Sequence, residues 1–155
     1  MSQHVASWKV SLELKPKLEL FRNIKDTPIV ENYCKVNLTR GQRSSIAKLR
    51  LGVLPIEIEI GRYNSIPREE RICKVCQTGE IEDEKHFLLL CPHYDKNRRV
   101  LLDSATLQVQ NFDEMNSFEK ISILPTHENL VRKTGKFLME SLQERNDKLR
   151  LSIRA

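Results

Sequence analysis

The amino-acid sequence predicts a mainly α-helical domain that carries one small unit rich in cysteine and histidine, with at most one short strand pair. Two observations support this fold class. Apolar residues recur at helical spacings of three and four in the first half of the chain and again near its end. Three of the four cysteines and two of the four histidines lie within residues 71–94. A chain of 155 residues suffices for one compact domain, so we expect residues 1–155 to fold together.

Charge is unevenly distributed along this domain. The net charge is +5, and residues 1–71 contain 13 basic and 8 acidic groups, whereas the remainder contains 13 of each. We therefore describe the expected domain as a basic N-terminal half (residues 1–71), a knuckle (residues 72–95) and C-terminal helices (residues 96–155). The stretch from Asn32 to Ile56 contains no acid at all, so a polyanion would meet it first.

The first elements are predicted from short patterns. Residues 7–21, SWKVSLELKPKLELF, alternate polar and apolar side chains, which predicts extended structure interrupted at Pro16. A helix is predicted to begin at Pro28, because proline is well tolerated in the first turn of a helix. Tyr33 belongs to the apolar face of this helix, and Cys34 is predicted there as a core residue.

The next helix is predicted to run from Arg40 to Val53, with Thr39 as its N-cap. Its apolar side chains repeat at spacings of three and four: Ile46, Leu49 and Val53. Gly52 and Pro55 would end it. Residues 56–60, IEIEI, alternate strictly and predict a short strand, with a helical turn as the alternative.

Three further helices are expected after the knuckle. The sequence HYDKNRRVLLDSA (residues 93–105) indicates the first, and SFEKISIL indicates a second that begins with Ser117 as N-cap. The last helix is predicted to be long, from Glu128 to about Ser152, with leucine and phenylalanine on one face.

The knuckle contains the pattern C-x2-C-x9-H-x4-C, formed by Cys73, Cys76, His86 and Cys91. Zinc takes four thiolate or imidazole ligands in a tetrahedron, and C-x2-C supplies two thiolates from one tight turn. Gly79 suits the turn that leads the chain out of this first pair. The spacing therefore predicts one zinc ion held by these four residues.

Two alternatives remain open for this pattern. The cysteines could be reduced core residues with an incidental histidine, although Cys73 and Cys76 lie in polar sequence. His93 could replace His86 as the nitrogen ligand, but it follows Cys91 by only two residues. The remote Cys34 is predicted to be a core residue rather than a fifth ligand.

We expect the zinc to be structural and the chain not to be an enzyme. Four protein ligands close the coordination sphere, whereas catalytic zinc keeps one position for water. The sequence has no metalloprotease, deaminase, hydrolase or phosphate-loop motif.

An acidic cluster follows the first cysteine pair: Glu80, Glu82, Asp83 and Glu84. We interpret it as a solvated loop that pairs with nearby arginines, with a hard-cation site as the less favoured alternative. Those arginines are Arg62, Arg68 and Arg71.

Residues 47–99 resemble the C-terminal region of reverse-transcriptase polyproteins of non-LTR (LINE-like) retrotransposons. The shared features are a KLRxG helix, GRY, PREERIC, the C-x-x-C pair, EDExHFL, and a cysteine followed by proline and tyrosine. Cys73, Cys76, His86 and Cys91 match the zinc ligands of that region. The resemblance implies a module that follows a polymerase domain and handles template RNA or target DNA. The 155 residues contain neither a polymerase nor an endonuclease domain, so this chain alone is not expected to polymerise or cut.

Two functions compete at this point. The first is a zinc-held module that binds RNA or DNA phosphates through a basic helix, with the remainder of a retroelement polyprotein as a further partner. Its predicted contacts are Arg40, Arg43, Lys48 and Arg50. The alternative is a structural or protein-interaction module with no nucleic-acid binding. No small-molecule substrate is expected.

We expect a nuclear or cytoplasmic location. The N-terminus lacks the apolar core of a signal peptide, and no apolar run reaches the roughly 18 residues that span a bilayer. In a reducing compartment, clustered cysteines favour a metal over disulfides.

Overall fold

The computed structural model describes residues 3–154, and they are mainly helical, as the sequence predicts. The α-helices of this part are α1 (Gln3–Glu13), α2 (Glu19–Ile24), α3 (Asn32–Lys35), α4 (Arg40–Arg50), α5 (Glu57–Tyr63), α6 (Asp95–Gln108), α7 (Ser117–Ile123) and α8 (Val131–Arg154). Short 3-10 turns cover Pro16–Leu18, Arg68–Glu70, Pro92–Tyr94 and Phe112–Glu114, and a π-helical turn covers His86–Leu90.

The long helix α8 is the centre of the fold, with α4 and α6 packed against it. Residue pairs along α6 and α8 show that the two helices are antiparallel. Asn97 Nδ2 donates to Glu144 at 3.0 Å, and Lys133 Nζ donates to Ser104 Oγ at 2.6 Å. The buried apolar core between these layers draws on all three parts of the chain, and includes Ile46, Leu49, Val75, Phe87, Leu101, Phe137 and Leu138.

A glycine allows α4 to approach α8 closely. A Cβ atom at Gly135 would lie 2.9 Å from Cβ of Gln42 and 3.1 Å from Cδ1 of Ile46. Both distances are shorter than ordinary van der Waals contacts, so the crossing needs a residue without a side chain at this point. The consequence is a tight layer that fixes α4 on the central helix.

The N-terminal prediction of extended structure is wrong. Residues 3–13 form α1, and Pro16 begins a 3-10 turn that leads into α2. The alternating apolar residues do not form one buried face, because Val10 is 56% and Leu14 is 77% exposed while Leu12 is buried. Without such a face the alternation carries no strand signal, and the leucines, lysines and glutamates favour a helix.

The prediction of a strand at residues 56–60 is also wrong, and the helical alternative is confirmed, because Glu57–Tyr63 is α5. Strict alternation normally places polar side chains in solvent, but here Glu57 and Glu59 are buried in ion pairs. The expected strand pair is reduced to a single antiparallel bridge between Ile72 and Ile81 in the knuckle.

Other boundaries moved by a few residues. The helix expected from Pro28 covers only Asn32–Lys35, and Cys34 is exposed rather than in the core, so that prediction is wrong. The N-cap of α4 is Thr39, as predicted, and it forms a capping box with Gln42. The N-cap of α7 is Asn116 rather than Ser117, because its side chain accepts from the Glu119 amide.

Within residues 3–154 no helix is long and apolar enough to cross a membrane.

Candidate metal centre

The structure brings the four predicted ligands together. The three thiol sulfurs of Cys73, Cys76 and Cys91 and a ring nitrogen of His86 all lie within 4.8 Å of one another. Nε2 of His86 is 3.4 Å from Sγ of Cys76, so this nitrogen faces the thiols. Cys76 is half-buried and the other three side chains are buried. Three sulfurs and one imidazole in this arrangement form a group that can hold a metal ion.

The first two ligands come from a tight turn at the start of the knuckle. The Cys73 amide donates to the Glu80 carbonyl at 2.8 Å, which closes the loop between them. Two residues of this loop adopt positive φ angles, Gln77 at 57° and Gly79 at 81°. Glycine adopts this conformation without steric cost, so the expectation for Gly79 as a turn residue is confirmed.

The second two ligands are joined by the π-helical turn. The Cys91 amide donates to the His86 carbonyl at 2.7 Å, five residues back along the chain. In an α-helix, residues five apart point in different directions, whereas the wider π turn stacks them on the same side. Asp83 fixes the start of the turn, because its Oδ1 accepts from the His86 amide at 2.9 Å. The x4 spacing thus produces a converging pair.

The thiols interact strongly with one another. A hydrogen bond from Cys91 lowers the pKa of Cys73 to about 4, and the same bond raises the pKa of Cys91. A bound metal ion would replace the thiol protons, because thiolates are the effective ligands.

Arg98 holds the backbone that carries the second pair of ligands. It is 4% exposed, and its guanidinium donates to the carbonyls of Leu88 at 2.8 Å and Cys91 at 2.6 Å. Its Nη1 also pairs with Asp95. These charge-assisted hydrogen bonds hold carbonyls of the irregular turn, and the Cys91 carbonyl accepts in addition from the Tyr94 amide at 3.2 Å. Arg98 therefore ties α6 to the π-helical turn.

A buried ion network lies directly beside the metal group, the name used here for Cys73, Cys76, His86 and Cys91. Arg145 of α8 donates to Glu82 from Nε at 2.9 Å and from Nη2 at 2.7 Å, and to Glu57 at 2.9 Å. Glu82 also accepts from the Glu57 amide at 2.8 Å and lies 3.8 Å from Sγ of Cys73. Burial raises the pKa of Glu82, and the Arg145 guanidinium opposes that shift. The network connects the metal group to the central helix.

Sequence reasoning missed this network. The cluster of acids was interpreted as a solvated loop, but Glu82 is completely buried. A signal was present in the sequence, because Arg145 interrupts the apolar face formed by Leu138, Leu142 and Leu149 at helical spacing. A charged residue on a buried stripe indicates an interior partner.

The arginines near the acidic loop have different partners. Arg68 pairs with Asp83 at 3.3 Å, as predicted for the loop. Arg62 instead pairs with Glu59 at 2.6 Å, and Arg71 donates to the Ile66 carbonyl at 2.9 Å and to the Ile58 carbonyl at 3.0 Å. All three arginines were expected to pair with the acidic loop, and of the three only Arg68 does so.

The predicted basic contacts fall into two groups. Arg40 and Lys48 are exposed on α4. Arg43 is half-buried, and its guanidinium donates to the Cys34 carbonyl at 2.8 Å, which caps the segment before α4. Arg50 is 2% exposed, and its Nη2 lies 2.7 Å from Oε1 of Glu31. The charge of Arg50 is thus buried in an ion pair, so this structure does not present it to a phosphate.

The remaining histidine and cysteine of interest lie outside the metal group. His93 is 3.1 Å from Oε1 of Glu144 on α8 and does not approach the thiols of the group. Cys34 is exposed on α3 and is not among the grouped ligands. The grouped side chains are therefore those of the C-x2-C-x9-H-x4-C pattern, and His93 is not among them.

Comparison with protein-family models, with curated proteins and with solved structures finds no match to this chain.

Proposed function

We propose that Cys73, Cys76, His86 and Cys91 hold one structural zinc ion. The observation that supports this proposal is the convergence of three sulfurs and one imidazole nitrogen within 4.8 Å. This donor set suits zinc, and four protein ligands leave no open position for a reacting water. The role of the ion is to close the knuckle and to fix the carboxylates that α8 contacts.

Elemental analysis of protein purified without added metal tests the zinc proposal. We expect one equivalent of zinc in the wild-type chain and less than about a tenth after Cys73→Ser with Cys76→Ser, because two ligands are lost. Cys34→Ser is the matched control, since it removes an exposed thiol outside the group and should leave the zinc content unchanged. Retention of zinc by the double variant would disprove the proposal.

We further propose that the chain is a non-catalytic module that binds RNA or DNA, as its resemblance to the C-terminal region of retrotransposon reverse transcriptases implies. Its net charge of +5 and the exposed Arg40 and Lys48 support this function. Phosphate contacts by such side chains dominate the affinity of most nucleic-acid-binding proteins. The remainder of a retroelement polyprotein is the proposed protein partner, in the nucleus or cytoplasm.

A structural or protein-interaction module is the second candidate. It is favoured by the internal pairing of several basic residues, namely Arg50 with Glu31, Arg62 with Glu59 and Arg68 with Asp83. A paired basic residue must give up its internal partner before it contacts a phosphate.

Salt dependence distinguishes the two candidates. Gel-shift titrations with a single-stranded RNA and a duplex DNA at about 50 and 200 mM salt measure it directly. A nucleic-acid-binding module releases counterions, so its binding constant should fall steeply as salt rises. Absence of binding to both probes at the lower salt concentration would exclude nucleic-acid binding in favour of the second candidate.

A further inference from the structure

A cleft between α6 and α8 has unusual charge. It is about 200 Å³ in volume, and its walls include Lys96 from α6 and Lys133 and Lys136 from α8, with Glu140 as its one acidic lining residue. The two helices are antiparallel, so Lys96 lies toward the Asn97–Glu144 end of the cleft and Lys133 lies at the Ser104 contact further along it. The cleft thus concentrates positive charge in a concave surface.

The positive charge of this cleft is almost uncompensated. Lys136 Nζ is 3.8 Å from Glu140, at the limit of an ion pair, and Lys133 donates to the neutral Ser104 hydroxyl. The ion pairs found in residues 3–154 include none with Lys96 or Lys133. Like charges that line one concave surface repel one another, and the concavity strengthens their field. An anion in the cleft would relieve that repulsion.

Two exposed arginines lie near the cleft lysines in sequence, although neither lines the cleft. Arg99 follows Lys96 by three residues on α6, and Arg132 precedes Lys133 on α8; neither has an ion-pair partner in the part of the chain that the structure describes. The floor of the cleft is apolar, because Val100 is 65% exposed beside the buried Leu101 and Phe137. The surface therefore combines cationic rims with an apolar floor.

The basic face of α4 is weaker by comparison. Arg50 is buried with Glu31, and Arg43 is engaged with the backbone before α4. Only Arg40 and Lys48 of the predicted set are exposed. In the sequence, the excess of basic residues lies in residues 1–71. In the structure, the cleft lysines come from α6 and α8, in the half of the chain that has no net charge.

We propose that the α6–α8 cleft binds the phosphodiester backbone of a nucleic acid and makes a larger contribution to affinity than α4 does. This inference rests on the proposed nucleic-acid-binding function and assigns it a surface. The lysine amines would contact phosphate oxygens, and the apolar floor would pack against sugars or bases. Such contacts position the nucleic acid without selecting a sequence.

Two double variants with equal loss of charge test the proposal. Lys96→Ala with Lys136→Ala removes two amines from the cleft, and Arg40→Ala with Lys48→Ala removes two exposed charges from α4. Lys133 is left intact because it bonds to Ser104 between the helices. Affinity for fluorescein-labelled RNA and duplex DNA is measured by anisotropy at about 50 and 200 mM salt, with thermal unfolding to verify the fold of each variant.

We expect the cleft variant to lose about tenfold or more in affinity at the lower salt concentration. Its salt slope on duplex DNA should become shallower by about 1.8, because each lost phosphate contact contributes roughly 0.9 to the slope. The α4 variant should lose less than about threefold.

Other outcomes separate the inference from the function on which it rests. Equal losses in the two variants would overturn the cleft in favour of diffuse charge. A larger loss in the α4 variant would overturn the cleft but retain nucleic-acid binding. A wild-type chain that binds neither probe at about 50 mM salt would overturn both.

Discussion

Arg145 is the residue that joins the metal group to the rest of the molecule. It is 2% exposed, and its guanidinium compensates two carboxylates that are themselves buried, Glu57 and Glu82. Lys74 adds a second cation to Glu57 at 3.0 Å, whereas Glu82 depends on Arg145 for its ion pair. Removal of one member of a buried pair leaves an uncompensated charge, which is far more costly than the net gain from forming the pair.

We predict that Arg145→Leu lowers the free energy of unfolding by about 3–5 kcal/mol, because Glu82 would remain buried without a cation. Urea denaturation of the zinc-loaded protein measures the change. Arg150→Leu is the matched control on the same helix, since Arg150 is exposed, and it should change stability by less than about 0.5 kcal/mol. Similar small effects in both variants would show that the network is not a stabilising contact.

We also predict that His86→Ala lowers zinc affinity by more than about 100-fold, whereas His93→Ala leaves it unchanged. His86 directs Nε2 toward the thiols, and His93 contacts Glu144 instead. Loss of a direct ligand should exceed the 10- to 100-fold effect typical of residues that only orient ligands. Competition with a chromogenic chelator gives both affinities, and the reverse order would make His93 the nitrogen ligand.

The grouping of Cys73, Cys76, His86 and Cys91 could be predicted from the sequence, because their spacing is typical of zinc ligands. Nothing equivalent marks Glu57 and Glu82, whose burial depends on a cation from a distant part of the chain. Arg50 illustrates the same limit for a basic residue. The acid-free stretch predicts that Arg50 is exposed, but Glu31 lies just before that stretch and pairs with Arg50 in the folded chain.

At the scale of elements, the contact between α4 and α8 depends on shape more than on composition. Gly135 lies where the two helices are closest, facing the Cβ of Gln42. Glycine in a helix interior is unfavourable by about 1 kcal/mol relative to alanine, so its presence here is explained by the close approach. A second glycine, Gly41, also lies at this interface, but it faces the flexible end of Met139.

We predict that Gly135→Ala destabilises the protein by about 1–2 kcal/mol, because overpacking against Gln42 and Ile46 outweighs the gain in helix propensity. Gly41→Ala is the control and should be neutral or slightly stabilising. Its added Cβ would meet the Met139 sulfur at 2.8 Å, and this partly exposed side chain can move away. Thermal unfolding compares the two, and a stabilising effect of Gly135→Ala would contradict the packing argument.

An element could be predicted where the apolar residues of its sequence pattern are the residues that the fold buries. Helix α4 has an N-cap at Thr39 and an apolar stripe that is truly buried, so its start was predicted correctly. In α5 the glutamates of the alternating pattern are buried as well, so the alternation does not indicate a strand with one buried face. The π-helical turn has no sequence signature beyond the x4 spacing that it serves.

At the scale of the whole molecule, the knuckle is a small irregular unit between helices. Its secondary structure consists of one bridge, a tight loop, the π-helical turn and the 3-10 turn Pro92–Tyr94, none of which is stable alone. The helical class of the fold followed from composition and periodicity. The central position of α8 could not be derived from the sequence, because it depends on which of several apolar faces pair in space.

We predict that chelation of the metal unfolds residues 68–95 while the packing of α4 and α6 on α8 persists. Structural zinc contributes on the order of 10 kcal/mol in small peptides, more than this unit could otherwise supply. Hydrogen exchange monitors the change, since the amides of Cys73 and Cys91 are bonded within the unit and should lose protection. Leu138 in α8 should stay protected, and re-addition of zinc should reverse the effect. Full protection after removal of the metal would contradict the prediction.

The bonds from Arg145 reach across 63 residues to Glu82 and 88 residues to Glu57. A ribosome makes the chain from its N-terminus, so the complete knuckle leaves the exit tunnel well before Arg145 does. During that interval, burying Glu82 would leave its charge without a cation, which opposes closure. Closure of the knuckle is therefore coupled to the docking of α8, which supplies the cation that Glu82 needs.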